Sequence, residues 1–398
     1  MQFTSRATTL SPFLAMAYGE KATQLELQGK EVIRLNLGEP DFGAPDAVID
    51  AMKKALESPT FPYTSALGLP SLREAIATFY QSQHDIDVEP TRIVVTPGAS
   101  GALLLCSAAL VEPGDNIILG DPSYPCNRRF LESFGGEVTL VPTCAEQNFQ
   151  LTAHDVETHW QSNTKGVLIA SPANPTGTAI HRDELIAIGN ICKRRKGFLI
   201  VDEIYLNLSL TESSDLNTIL AANDLQDTVV IINSFSKYFG MTGWRLGWCV
   251  LPLPMVPIVE KLAQNLFICP SHLSQQAALA CFTPQALTQC EENRVVLKLR
   301  AQHVFSALRD MGLPLEVQPQ GAFYAYINIR PTGMTAVAFC DALLSQYGVA
   351  LTPGNDFGDY QASHYVRLSF ATSDEKLQEG LTRLAKFVAP LLANKQGE

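Results

Sequence analysis

Val229-Val-Ile-Ile-Asn-Ser234-Phe-Ser236-Lys237-Tyr-Phe-Gly-Met-Thr-Gly-Trp-Arg245-Leu-Gly-Trp248 is the stretch from which the rest of the chain can be read. An apolar, β-branched run ends in small polar residues, so Lys237 falls at the carboxyl end of a strand, where open α/β sheets bind their ligands. A lysine held among glycines and aromatics can form an imine with an aldehyde cofactor. Ser234 and Ser236 precede it and Arg245 follows it. Their hydroxyls and planar, permanently charged guanidinium suit a phosphate group.

Working outward from this stretch, short apolar strands alternate with helical patterns from Asp46 onward, the signature of a mainly parallel sheet covered by helices. Strands are expected at 92–96, 116–119, 137–141, 166–170, 198–201, 229–233 and 248–250. Helices are expected from Pro97-Gly98-Ala99-Ser100-Gly101 through Leu110, at 126–134 and at 181–196. A long charge-patterned helix over 284–311 reads as a domain connector, followed by strands at 321–329 and 365–370. The expected division is a large domain at 45–285 and a smaller one formed by 1–44 with 286–398.

At 398 residues, two domains are the default. The net charge of −11 argues against broad nucleic-acid binding, which needs clustered cations. The one dense basic run, Lys193-Arg-Arg-Lys196, reads as the solvated end of a helix, where cations meet the negative pole of its dipole. Nine scattered cysteines without a C-x-x-C pair fit free thiols in a reducing cytoplasm, and the seven histidines form no metal-ligand spacing. No run is long and apolar enough to span a bilayer, and no secretory leader is evident. The expectation is a cytoplasmic protein.

The S-x-S-K-x-x-x-M-T-G-W-R-x-G pattern of Ser234–Gly247 resembles the class I pyridoxal-phosphate aminotransferases, the aspartate aminotransferase superfamily of fold type I. The likeness runs from about Asn36 to the C-terminus. It implies an α/β large domain with a mainly parallel seven-stranded sheet sandwiched by helices, a smaller α/β C-terminal domain, and pyridoxal 5′-phosphate as cofactor. Lys237 takes the imine-forming, proton-transferring role. Asp202, at the end of Phe198-Leu-Ile-Val-Asp202-Glu203-Ile-Tyr205, takes the pyridine nitrogen; Glu203 receives no chemistry. Tyr205 donates to the phenolic oxygen, as does Asn174 in Ser171-Pro-Ala-Asn174-Pro-Thr-Gly177, a segment that by itself is an ordinary turn.

Ala99, Ser100, Ser234, Ser236 and Arg245 hold the phosphate in this likeness, and Tyr124, in Asp121-Pro-Ser-Tyr124-Pro125, stacks on the ring. Tyr63 matches a tyrosine that reaches the neighbouring subunit's phosphate, which implies a homodimer. Arg367, in Tyr365-Val-Arg367-Leu-Ser-Phe370, grips the substrate's α-carboxylate, aided by Gly38 in Asn36-Leu-Gly38-Glu-Pro-Asp41 and by Asn174.

The implied reaction moves an amino group between an L-amino acid and a 2-oxo acid by a ping-pong Schiff-base mechanism. Ser100 stands where some aspartate-specific relatives carry lysine, and Ser11-Pro-Phe13-Leu-Ala-Met16 aligns with the apolar substrate-side lid of relatives. Both favour alanine, aromatic or other neutral substrates, with aspartate left open. Two alternatives share the cofactor residues: a C–S lyase and an aminocyclopropane-carboxylate-synthase-like enzyme, against which the M-T-G-W-R-x-G run speaks. A non-enzymatic sensor of this fold carries an added DNA-binding domain, for which the chain has neither room nor a basic helix.

Overall fold

The computed structural model describes residues 1–4, 7, 8, 10–211 and 216–393. Its central sheet has seven strands: β2 (Ile93–Thr96), β3 (Asn116–Asp121), β4 (Glu137–Pro142), β5 (Thr164–Ala170), β6 (Phe198–Asp202), β7 (Val229–Ser234) and β8 (Gly247–Val250). They lie in the order β2-β8-β7-β6-β5-β3-β4, and β8 alone runs against its neighbours. Side chains alternate across a strand, so each strand feeds two cores. Val167, Ile169, Leu199, Val201, Val229 and Ile231 enter one apolar layer, while Leu168, Ile200, Val230 and Ile232 enter the other. Burial on both faces is why these strands read as continuous apolar runs.

Helices cover the sheet. Those that bear on the site are α4 (Gly98–Leu110), which starts two residues after β2, and α5 (Pro125–Ser133), which starts four residues after β3. Earlier in the chain come α1 (Leu14–Leu27), α2 (Asp46–Ala55) and α3 (Pro70–His84); later come α6 (Ala153–His159), α7 (Arg182–Arg194), α8 (Val256–Leu266) and α9 (His272–Ala278). The basic run closing α7 is a solvated helix end: Arg194 and Arg195 both pair with Glu157, and Lys193 donates to the Asp224 carbonyl at 2.7 Å. All nine cysteines are free.

The connector α10 (Pro284–Asp310) is capped by Thr283, whose hydroxyl accepts from Ala286 N–H, and its 27 residues span about 40 Å. Beyond it, β9 (Tyr324–Asn328), β11 (Thr352–Pro353) and β12 (Tyr365–Ser369) form an antiparallel sheet in the order β11-β12-β9. The strand expected from Gly321 begins only at Tyr324. Ala322 has φ of 62°, a left-handed conformation that cannot continue a pleat. β1 (Ile33–Arg34) pairs in parallel with β10 (Val349–Ala350), which brings the N-terminal segment onto the C-terminal part of the chain. Helices α11 (Ala336–Tyr347) and α12 (Asp374–Ala393) complete this region. Among the described residues no helix is long and apolar enough to cross a membrane.

Candidate active site

At the carboxyl ends of β5, β6 and β7, where they face α1, β9 and β12, lies a cavity of about 290 Å³. Its lining includes Gly38, Ala99, Ser100, Tyr124, Asn174, Asp202, Tyr205, Ser234, Ser236, Lys237, Arg245 and Arg367. These are all of the residues singled out from the sequence except Tyr63. That side chain is 78% exposed and stands away from the cavity, on a segment whose Pro62 carbonyl is bound by His272.

The strand ends set one wall. Asp202 closes β6 with its carboxylate buried, and Oδ1 accepts from Ile204 N–H at 3.2 Å. Burial raises its pKa to about 7, opposed by that hydrogen bond and by the charge of Lys237. Lys237 Nζ donates to the Gly38 carbonyl at 2.6 Å. Burial lowers this amine to about 8; Glu39 opposes the shift, Arg367 and Arg245 reinforce it, and Asp202 opposes it. The pair therefore holds a base and an acid that both titrate near neutrality, as proton-transfer chemistry needs.

At the far end, the Ser234 hydroxyl donates to Ser236 Oγ at 2.9 Å and accepts from Ser236 N–H at 3.0 Å. The guanidinium of Arg245 lies over the N-terminus of α4, so close that a Cβ on Gly98 would sit 2.9 Å from Nη2. Arg245 itself adopts φ of 54°, a left-handed conformation uncommon for a non-glycine residue, and its partly solvent-exposed side chain lines the cavity. A Cβ on Gly247 would lie 2.7 Å from the Gly98 carbonyl carbon, so only glycine lets β8 pass under this helix end. Two hydroxyls, a guanidinium and a helix N-terminus make a donor set for a phosphate. With an amine at one end and a carboxylate in the floor, the residues fit pyridoxal phosphate.

The opposite wall centres on Arg367, 1% exposed, on β12. Its hydrogen-bond partners are all neutral: Asn174 Oδ1 at 2.8 Å, the Asn36 carbonyl at 2.5 Å and Thr352 Oγ1 at 3.4 Å. Nε has none. The guanidinium is sandwiched between the rings of Tyr324 and Phe357, at 4.5 and 4.8 Å. A buried cation whose hydrogen bonds among the described residues go to neutral groups, with the Asp356 carboxylate near enough to feel its charge, is prepared for an anionic ligand.

Tyr324 is the residue that sequence reasoning missed. Its hydroxyl shares a 2.7 Å hydrogen bond with that of Tyr205, its ring lies under Arg367, and a Cβ on Gly38 would come within 2.2 Å of its oxygen. It therefore touches three elements of the site at once. Glu39 likewise carries no signal in the sequence; it lines the cavity and accepts from the Thr242 hydroxyl at 2.6 Å. Phe13, Ala15 and Met16 of the α1 segment close the top, with the Phe13 ring edge-on to Tyr124 at 5.9 Å.

A buried lysine, a strand-end carboxylate, a donor set suited to phosphate and a buried arginine together are what pyridoxal-phosphate chemistry on an amino acid requires. Residues 30–384 match the family described as aminotransferase class I and II, and the chain belongs to that family. It is a pyridoxal-phosphate-dependent aminotransferase with the fold of the aspartate aminotransferase superfamily. Over 377 residues it is 37% identical to the valine–pyruvate aminotransferase of Mycobacterium tuberculosis, covering 95% of this chain and 96% of that protein. The crystal structure of an aminotransferase from Mycobacterium tuberculosis superposes with a TM-score of 0.93 at 36% identity, covering 98% of this chain and 100% of that one. Aspartate aminotransferase from Thermus thermophilus, solved with maleate, gives a TM-score of 0.91 at 30% identity, covering 97% and 99%.

Proposed function

We propose that this aminotransferase takes a neutral L-amino acid with a small apolar side chain, of the alanine and valine type, and exchanges its amino group with a 2-oxo acid. The observation that carries this reading is the composition of the cavity wall. Phe13, Ala15, Met16 and Leu37 line it, and its cations among the described residues are Lys237, Arg245 and Arg367. Each of the three has a task in the common chemistry, which leaves no cation in this lining for a side-chain carboxylate. Glu39 in the same lining disfavours an acidic side chain further. The valine–pyruvate activity named for the Mycobacterium tuberculosis relative points the same way.

The cofactor, when bound, supplies a carbonyl for the amino group and a ring that accepts electrons from the substrate's α-carbon. The chain's own groups do the rest. Arg367 binds the α-carboxylate as a two-pronged donor, with Asn174 and the loop of Gly38 beside it, and so fixes the α-carbon relative to Lys237. Lys237 Nζ, an amine that titrates near neutrality, would take the proton from the substrate's α-carbon as general base and, as general acid, deliver it to the carbon of the cofactor's aldehyde group. Asp202 would sit against the pyridine nitrogen, where its carboxylate would favour the protonated ring and be kept ionised by it. Asn174 and Tyr205 would donate to the phenolic oxygen, Tyr124 would cover the ring, and Ala99, Ser100, Ser234, Ser236 and Arg245 would hold the phosphate.

The reading extends to a homodimer in which Tyr63 of each subunit completes the phosphate site of the other. Its support is the 78% exposure of this aromatic side chain, close in sequence to a second exposed ring, Phe61. It also retains the division of the chain into 45–285 and 1–44 with 286–398, supported by the pairing of β1 with β10. The purified protein tests the substrate reading when single amino acids are added without an acceptor acid. Bleaching of the cofactor's visible band by valine or alanine, with release of the matching oxo acid, is expected. Bleaching by aspartate alone, or release of ammonia, overturns it.

A further inference from the structure

Helix α1 begins without a cap of its own. Phe13 stands at the N-cap position with no side-chain hydrogen bond, and no acidic residue lies in the first turn. The missing acceptor comes from a residue 342 positions away. Asp356 Oδ1 accepts from Leu14 N–H at 2.7 Å and Oδ2 from Ala15 N–H at 3.0 Å, so one carboxylate holds the two leading donors of the helix.

The turn that carries Asp356 is tied to the active site on two further sides. Phe357, the next residue, lays its ring 4.8 Å from the Arg367 guanidinium, and its carbonyl accepts from Ser123 N–H at 2.8 Å, one residue before Tyr124. Asp121 at the end of β3 accepts from the N–H groups of Asp359 and Tyr360, both at 2.9 Å. A Cβ on Gly358 would lie 1.7 Å from Asp121 Oδ1, so the turn approaches β3 as closely as glycine allows. Consecutive residues of one anchored turn thus hold the carboxylate-binding arginine and the helix whose Phe13, Ala15 and Met16 wall the cavity.

We propose that Asp356 is a positioning residue for substrate selection: by capping α1 it sets the distance between the apolar wall and Arg367, and with it the size of side chain the enzyme accepts. The carboxylate is not part of the cavity lining; it acts through the helix it holds, and its charge also faces the Arg367 guanidinium, an influence that would fall on all donors alike and not on their ratio. The inference rests on Arg367 receiving the α-carboxylate, since that contact supplies the fixed point from which the side-chain space is measured. Phe13 against Tyr124 is the contact through which a displaced α1 would be felt in the cavity.

The test is a series of alanine, valine and phenylalanine as amino donors for the holoenzyme and for Asp356→Ala and Asp356→Asn. In Asp356→Ala the ratio of kcat/KM between the best and the worst donor is expected to fall about fivefold or more, mostly through KM, because a pocket wall one methylene out of place changes discrimination on that scale. The cofactor's visible absorbance is expected to persist, and limited proteolysis to cut the segment before Leu14 faster. Asp356→Asn, with one carbonyl acceptor left, falls between, and it carries the test if the alanine variant does not fold. An unchanged donor ratio, or a uniform loss for all three donors, overturns the proposal. If the parent enzyme converts only aspartate, the neutral-substrate reading fails, and the donor ratio measured with aspartate and its shorter and longer homologues still decides the role of Asp356.

Discussion

The two walls of the cavity are built by different means. On the cofactor side, Asn174, Asp202, Ser234 and Ser236 follow directly from the ends of adjacent parallel strands and are between 3 and 7% exposed. Sheet register alone brings them together, because parallel strands end on one edge. On the substrate side, Arg367 comes from an antiparallel strand, Gly38 from a loop and Phe13 from the start of α1. Contacts between distant segments hold that wall: Arg367 reaches the Asn36 carbonyl across 331 positions, and Asp356 reaches Leu14 across 342. The wall proposed to hold the cofactor is therefore fixed by topology, whereas the wall proposed to choose the substrate is tied by a few polar contacts between distant segments.

The largest expected effects fall on the cofactor wall. Lys237→Ala removes the proposed proton carrier and is expected to lower turnover by about a thousandfold or more, with cofactor no longer retained after borohydride reduction. Retained turnover would break the assignment of the wall itself. The same amine gives a pH signature. It must be neutral to react, and burial holds it at about 8, so uptake of pyridoxal phosphate by the apoprotein is expected to accelerate as pH rises toward 8 and then level off. Stopped-flow absorbance reads this directly, and a rate that still climbs beyond about pH 10 would show an unperturbed lysine. Asp202→Asn follows, with kcat lower by about a hundredfold, since a neutral amide no longer favours the protonated ring.

Next comes the substrate wall. Arg367→Lys keeps the charge but loses the planar fork and its seat between Tyr324 and Phe357. We expect kcat/KM to fall by about a hundredfold while the cofactor's absorbance stays. Loss of the absorbance together with activity would show that the two walls are not separable at this residue.

The same contrast explains what could be read before the structure. Val229 to Lys237 and Phe198 to Tyr205 each place a strand and its chemical group in one contiguous run, and the groups at their ends do line the cavity. Tyr324 and Asp356 carry no such signal. The first finds its partner Tyr205 119 positions away, and the second finds Leu14 342 positions away. A strand expected from Gly321 hides Tyr324 further; the left-handed turn at Ala322 sets the true start of β9 and so decides which face the tyrosine takes. Its ring reaches Arg367 as a diagonal neighbour across the β9–β12 ladder, a relation that exists only once Ser369 pairs with Tyr324.

Tyr324 is also where the separation of the walls meets its finest test, with the smallest expected effect. The hydroxyl works on the cofactor side through Tyr205, and the ring works on the substrate side under Arg367. Tyr324→Phe removes only the hydroxyl. The buried Tyr205 hydroxyl loses a 2.7 Å partner, a change worth about 1–2 kcal/mol, so kcat is expected to drop roughly threefold to tenfold with KM unmoved. Tyr324→Leu removes the ring as well and forfeits a cation–π contact of about 0.5–2 kcal/mol, which should add a rise in KM of similar size. The pH dependence of the cofactor's absorbance, recorded without substrate, is expected to shift in both variants, because both alter Tyr205. If Tyr324→Phe raises KM as far as Tyr324→Leu does, the hydroxyl acts on Arg367 too, and this one side chain joins the two walls into a single unit.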